Sequence, residues 1–546
     1  MELLKKNVHT ERIKSKALLQ IPLEMDINVS DAKPDVARVI YDSGRIKIDE
    51  IKTGMNKIWV KGRLCYQLLY QAEGSDAKAS SDAALSEAVL SGMEGELPFN
   101  EEIYLDKIEG QDRVVCKTKL DDMRVHLINS RKLSIQSVIT LEPQVEENIS
   151  EELCVELDGM ADNTINTMGK TEEKSGIGNS LEYRKKSLDY LETVVKKRDL
   201  LRLHEETKLP AGMPDMGSVL WKSMDVRSIN FRPMEEKLGI TGELSIFIVY
   251  REDSTDRVNW YETMIPFQGS VECQDSREGM VSDVYYDIGH EEITIREDVD
   301  GELRIIGVEA TLELEIKLYE KQSTSIVADV YGVSCEVQAD VDTKEFTDLY
   351  AELNLEEKFT RNIRLEDTEP KLLQVCRCDA KVKLEEVSCS NNQLKLSGEI
   401  ALQILYASSD EKAGLYPVND AMPFELIKEM PDMDAVSILR CATSMQIEQQ
   451  TVSIKDSTQM EWRGSLCVKV LIYSNKQEEI LTELSVSPIN AAVLEKLPGF
   501  AIYYAKPGDS LWQIGKKYYV SVQRIKEMNN LASDEIKAGD KLLIVK

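Results

Sequence analysis

The chain has 546 residues, of which 97 are acidic and 67 basic, giving a formal net charge of −30. That length predicts about three to five units, each able to bury its own core. The charge opposes non-specific attraction to nucleic acid or anionic lipid, so neither nucleic acid nor direct membrane insertion is expected.

The opening MELLKKNVHTERIKSK has no apolar leader segment, and no apolar run reaches the roughly 18 residues a spanning helix needs. Ten cysteines are scattered without metal-ligand spacing. The expectation is a protein of a reducing cytoplasm, with no metal and no cofactor.

A spaced pattern then occurs three times. It runs from PDVARVI to VKGRLCYQLLY, from PDMGSVL to ITGELSIFIVY, and from EPKLLQV to LSGEIALQILY. Pro34, Pro214 and Pro370 each precede a tyrosine (Tyr70, Tyr250, Tyr406) by 36 residues, and Gly62, Gly242 and Gly398 precede the same tyrosines by eight. A Pro-Phe pair follows at Pro98-Phe99, Pro266-Phe267 and Pro423-Phe424, and then a second strand-like half: LSIQSVITL, GVEATLELEIKLY and GSLCVKVLIY. Apolar residues recur at period two in Leu64, Tyr66, Leu68 and Tyr70, and in Leu244, Ile246, Ile248 and Tyr250, as a half-buried strand requires. The other face is mixed, with Gln67, Ser245 and Gln403 among apolar neighbours. Two packed antiparallel layers would bury such strands.

Between the first tyrosine and its Pro-Phe pair the sequence SDAKASSDAALSEAVLSGMEG adds about a dozen residues, read as an exposed loop. Between the first two repeats lies a polar linker, DNTINTMGKTEEKSGIGNS. After it, Leu181, Leu188, Leu191, Val195 and Leu200 are spaced as on a helix. The expected boundaries are 1–150, 206–340 and 341–490 for the repeats, 151–205 for linker and helix, and 499–546 for a separate last unit. The fold class is multidomain and mainly β: three β-rich, sandwich-like repeats with a helical linker, plus a small α+β unit.

That last unit carries Gly508-Asp509-Ser510-Leu511, the nucleophile block of one class of esterase. A serine nucleophile needs a histidine within hydrogen-bond reach and an acid to orient it. All four histidines (His9, His126, His204, His290) lie upstream, and the one Asp-x-x-His, Asp287 to His290, lies in the second repeat. No catalytic residue is therefore expected. A structural reading accounts for the segment: AIYYA as a strand, Pro507-Gly508-Asp509 as a turn, and Asp509 or Ser510 capping a helix through Leu511, Trp512, Ile514 and Tyr518. A second helix, SVQRIKEM, and a strand, KLLIV, complete a strand-helix-helix-strand unit.

Gly508 to Trp512, Ile514, Tyr518, Asn529, Leu531, Ile536, Gly539 and Leu542 resemble the recurrent pattern of LysM domains. Tyr519 departs from it, standing where glycine often follows the first helix. The resemblance implies a shallow groove for N-acetylglucosamine-containing glycan, with Gly508, Asp509, Ser510 and Leu511 facing Asn530, Leu531, Ala532 and Ile536. Trp512 and Ile514 are read as core, while Leu511 and Leu531 are open to either role.

The repeats, with Lys33-Pro34-Asp35-Val36 and Met213-Pro214-Asp215-Met216, are similar to the SPOCS domain of endospore-forming bacteria. The third departs from the pattern at Glu369-Pro370-Lys371. Three such units followed by one LysM resemble the SipL group of spore coat morphogenesis proteins. That resemblance implies a non-enzymatic scaffold in the mother-cell cytoplasm at the forespore surface, bound to the coat basement-layer ATPase (SpoIVA-type). An alternative is a LysM protein that binds peptidoglycan or cortex.

Overall fold

The structure, a computed structural model, describes residues 3–73, 89–157, 181–253, 257–366, 368–408, 414–433, 436–490 and 498–545. The polar linker lies outside the described residues, as does the insert from 75 to 88; the end of the insert, from Leu90, is strand.

The first unit contains β1 (Leu3–Lys16), β2 (Leu19–Asn28), β3 (Val36–Gly54), β4 (Lys57–Ala72), β5 (Leu90–Tyr104), β6 (Val114–Asn129) and β7 (Lys132–Leu157). The second contains β8 (Leu181–Lys208), β9 (Met216–Met234), β10 (Lys237–Glu252), β11 (Val258–Glu272), β12 (Val281–Glu297) and β13 (Leu303–Gly332). The third contains β14 (Cys335–Arg364), β15 (Leu372–Ser390), β16 (Gln393–Ser408), β17 (Leu415–Glu429), β18 (Ile438–Asp456) and β19 (Gln459–Pro488). Each unit is a pair of antiparallel sheets. One is a meander ordered β3-β4-β5, β9-β10-β11 or β15-β16-β17. In the other the last strand sits centrally, as in β8-β13-β12 and β14-β19-β18, while the first unit splits its opening strand into β1 and β2 on β7.

The stretch expected as a linker helix is instead the strand β8, which pairs with β13 along its whole length. Leu188 and Tyr190, then Leu201 and Leu203, are buried at period two, whereas Leu200 is exposed. A bulge opposite Leu318 and Tyr319 shifts the phase near Val195, which made the apolar spacing look helical. A 30-residue partner strand offering a continuous ladder outweighs the local helical pattern. The second unit therefore begins at 181, ahead of the expected 206.

The repeat motif now has a physical cause. Each tyrosine hydroxyl donates to the carbonyl of the proline 36 residues earlier: Tyr70 to Pro34 at 3.2 Å, Tyr250 to Pro214 at 3.0 Å and Tyr406 to Pro370 at 2.9 Å. The proline marks where the chain crosses from one sheet to the other, and the hydroxyl ties that crossing to the end of the meander's middle strand. All three tyrosines are fully buried, so the bond also satisfies a hydroxyl that would otherwise be costly there. The glycines pair with the Pro-Phe motif across the ladder, Gly62 with Phe99, Gly242 with Phe267 and Gly398 with Phe424. Each ring lies over its glycine where a Cβ would intrude, an aromatic filling the space that the absent side chain leaves.

The departure at Lys371 is matched elsewhere. In the first two units Asp35 and Asp215 accept from Arg131 and Arg304, which also bind the carbonyls of Lys33 and Met213. The N–H of Val29, Leu209 and Leu365 donates to the carbonyl of Arg131, Arg304 and Thr458 respectively, which places Thr458 at the arginine's position. The third unit has thus lost both partners of the ion pair.

The faces with mixed composition are where the units meet. Ile40, Tyr41 and Leu69 of the first unit, Trp221, Phe247 and Val249 of the second, and Cys376, Leu405 and Leu415 of the third form one shared core. Tyr41, Trp221 and Arg377 each stand seven residues after their unit's proline, and they converge there. The side chain of Arg377 is fully buried; it donates to Ser245 at 3.1 Å and Glu262 at 2.8 Å, and pairs with Asp225 and Asp379. Asp379 also accepts from Tyr41 and Arg227. Gln403 donates to the Asp42 carbonyl at 3.3 Å.

Beyond the sandwiches the long hairpins continue. Val8, Leu153, Leu188, Tyr190, Ile326, Phe346 and Ile480 join all three in a second shared core, and Cys154, Leu157, Val327, Val330 and Leu481 form a third. The three hairpins carry bulges at corresponding places: opposite Val145/Glu146, Leu318/Tyr319 and Ile472/Tyr473, and again between Cys154 and Glu156, between Val327 and Asp329, and between Leu481 and Glu483. Three copies of one unit thus repeat even their irregularities.

Candidate functional site

The C-terminal unit consists of β20 (Phe500–Tyr504), α1 (Leu511–Tyr518), α2 (Val522–Asn529) and β21 (Lys541–Val545), with the two strands paired antiparallel. Two turns of the same construction flank the candidate groove. Lys506-Pro507-Gly508-Asp509 and Lys537-Ala538-Gly539-Asp540 each place glycine at positive φ, +89° and +93°. In each, the aspartate carboxylate accepts from the lysine N–H three residues back, at 2.8 Å and 2.7 Å. Asp509 also accepts from the Tyr503 hydroxyl at 2.7 Å. The Lys506 N–H, then the tyrosine, hold its carboxyl below the usual carboxylate range.

Ser510 is the N-cap of α1: its hydroxyl accepts from the Gln513 N–H, and the Gln513 side chain accepts from the Ser510 N–H at 3.1 Å, a reciprocal capping box. The hydroxyl is therefore occupied in holding the helix, and no histidine follows it in the chain. The decoy Asp287 and His290 lie on β12 with a bulge between Ile288 and His290; His290 is exposed, with Glu292 3.9 Å away. Tyr519, at the family's glycine position, adopts the left-handed conformation (φ 58°, ψ 42°), and its N–H closes the helix onto Gly515. The unusual residue thus keeps the usual backbone. Asn530 does the same for α2, and Asn529 ties α2 to β21 by donating to the Leu543 carbonyl at 2.8 Å and accepting from its N–H at 2.6 Å.

The eight candidate groove residues do not share one role. Leu511 is 1% exposed and packs with Ile514, Val520, Ile525, Leu542 and Ile544, so its side chain is core and offers a ligand nothing. Leu531 and Ile536 are half-buried against the same core. Gly508, Asn530 and Ala532 are exposed, while Asp509 and Ser510 are half-buried and engaged in the turn and cap. The surface left for recognition is mainly backbone and small side chains.

Trp512, expected as core, is half-buried and reaches out of the unit. Its indole N–H donates to Asp329 at 2.7 Å, its ring meets Tyr331 edge-on at 4.8 Å between centroids, and Arg184 lies 5.6 Å over its face. Lys516 pairs with the same aspartate at 2.7 Å, and the Tyr331 hydroxyl donates to the Val520 carbonyl at 3.0 Å. Asp329 sits on the outer bulge of the second hairpin. Burial raises its pKa, but Lys516 and Trp512 outweigh that and hold it below the usual range. The sequence offered no direct signal for this dock, because a bulge aspartate and a helix tryptophan are 183 residues apart.

Between the three sandwiches a cleft of about 1080 Å³ is lined by residues of each unit, among them Arg45, Lys117, Asp225, Asp287, Glu356 and Lys469. Among the described residues no group of three or more His, Cys, Asp or Glu side chains is placed to hold a metal ion. No described helix is long and apolar enough to cross a membrane.

The fold and the site define a multi-module binding protein: three fused β-sandwich units presenting one small α+β recognition unit. A family model described as the SipL, SPOCS domain matches residues 35–128, 215–296 and 371–473, just over half of the chain, and one described as the LysM domain matches 503–545. The chain belongs to the SipL family and is a sporulation-related, LysM-containing protein. Both are in general families of non-catalytic binding domains. No solved structure matches the chain.

Proposed function

We propose that this protein is a non-enzymatic scaffold in endospore coat assembly, docking onto the coat basement-layer ATPase (SpoIVA-type) around the forespore, on the mother-cell side. The observation that carries this reading is the mounting of the LysM unit. Contacts through Trp512, Gly515, Lys516 and Val520 fix it to the second hairpin, while Gly508, Asn530 and Ala532 stay exposed. A recognition unit held in one orientation on a fused body favours engagement of a partner at a defined angle. Charge adds to this: the last 47 residues carry eight basic and five acidic side chains on an otherwise strongly acidic chain, which favours an acidic partner surface.

The test is capture from sporulating cells. The full chain should recover the basement-layer protein, and a chain ending before residue 499 should recover much less. Equal capture by both would remove the docking role of the LysM unit.

A second reading, binding of peptidoglycan or cortex glycan, is favoured by the exposed glycines of the two turns and by the half-buried Leu531 and Ile536, groups that could meet an acetamide. Co-sedimentation of the full protein with purified peptidoglycan tests it. Protein left in the supernatant, with capture of the basement-layer protein intact, would leave the first reading standing alone.

A further inference from the structure

Cys389, near the end of β15, and Cys441, near the start of β18, place their sulfur atoms 3.3 Å apart. The two strands are the outer strands of different sheets, so this contact lies at the open side of the third sandwich. Both side chains are half-buried and pack against the inter-sheet core, which fixes their positions and leaves them within reach of a small solute. The thiols of Cys65, Cys116, Cys154 and Cys376 lie instead against oxygen atoms.

The pair is peculiar to this unit. Cys389 faces Leu394 across its hairpin; the same register position facing Ile58 in the first unit is Thr53, and facing Leu238 in the second is Pro233.

We propose that Cys389 and Cys441 form a disulfide site, oxidised by a small-molecule disulfide such as glutathione disulfide, and that the bond staples the two sheets of the third sandwich together. A disulfide requires sulfurs about 2 Å apart, so the pair needs to close by about 1 Å. Burial, then the neighbouring Cys389, pushes the Cys441 thiol up. The thiolate of one cysteine attacks the small disulfide and expels one small thiolate. The other cysteine then gives up its proton and attacks the sulfur of the mixed disulfide on its neighbour, expelling the second. Two protein thiols are oxidised and one small disulfide is reduced to two thiols. The new bond closes a loop of 52 residues, long enough for a substantial restriction of the unfolded chain.

The test uses the full chain. After incubation with glutathione disulfide, the protein is denatured in an alkylating reagent, digested without reduction and mapped by mass spectrometry. The expected result is a Cys389–Cys441 linked peptide, with two of the ten thiols lost to alkylation. A melting temperature roughly 2–4 °C above that of the reduced protein should accompany it, and Cys389→Ser should abolish both changes. Recovery of both cysteines in alkylated form, of separate glutathione adducts on each, or of either one linked to a different cysteine would overturn the proposal.

Discussion

The sandwiches hold one another differently from the way they hold the LysM unit. Among the sandwiches, apolar side chains from all three units share cores, and a fully buried arginine is surrounded by acids from two of them. The LysM unit is attached by a tryptophan, a lysine, a tyrosine and one aspartate at the surface of one hairpin. The first junction lacks a stable separated state, because parting the units would expose Trp221, Phe247 and Leu405 together with Arg377. The second leaves two bodies that each keep a core of their own. One is a fusion and the other a mount.

The largest effect should come from Arg377→Ala. It takes their shared cation from the buried Asp379 and from the partly exposed Asp225 and Glu262, and should cost about 3 kcal/mol. Urea denaturation followed by tryptophan fluorescence should show an earlier midpoint, and an unchanged midpoint would dissolve the contrast just drawn. Gly398→Ala should come next at about 1–3 kcal/mol, since its Cβ would meet the Lys383 carbonyl and the Phe424 ring. Trp512→Ala should free the LysM unit at a cost of about 1–2 kcal/mol to the dock. Limited proteolysis should then cut between the third sandwich and residue 500, with the melting of the sandwiches unmoved. Movement of that melting would show the mount to be part of the fusion. Tyr406→Phe should cost about 1 kcal/mol through loss of the bond to Pro370.

Acid should separate the two junctions as well. Glu146 and Glu11 lie between the first two units, paired with Lys317 and Lys196. Burial raises the pKa of Glu146, but Lys317, the hydrogen bond with Glu11, and Lys196 outweigh it and bring the carboxyl down to about 2. A group depressed by folding contributes in full above its ordinary value near 4.5 and loses that contribution as pH falls through about 2. Asp329, depressed in the same direction from 3.8, should weaken the LysM mount as acid is added. Proteolytic release of LysM and the loss of sandwich fluorescence, followed together from pH 5 to pH 2, check both transitions. Release that rises rather than falls with pH would contradict the Asp329 pairing.

Much of this was readable from residue order. The interval from proline to tyrosine marked three sandwiches because it encodes a contact, hydroxyl to carbonyl, while the glycine and the Pro-Phe pair are the two sides of another, glycine to phenylalanine across the ladder. The LysM elements followed from caps and turns, and Tyr519 was flagged at the position that adopts the left-handed conformation. The misread helix at Leu181–Lys208 shows where local pattern fails, since bulges reset the period of two and only the partner strand reveals the phase. Trp512, read as core, also faces another body, and Leu511, open to either role, is core, for a related reason. On a short helix, neighbouring residues point in different directions, and the presence of another body against one of them is not written locally. Arg377 left a fainter trace, a charged residue where its two counterparts are Tyr41 and Trp221, both aromatic.

The bulges shared by the three long hairpins bear on reach. From Tyr319 to Gly332 the second hairpin runs on for about a dozen residues, roughly 40 Å of strand, before it meets LysM. Because three such hairpins are bundled and bend at matching points, the arm is braced rather than tethered. The sandwiches and the LysM unit are therefore held a fixed span apart, the small unit standing off from the body by the length of the braced hairpins.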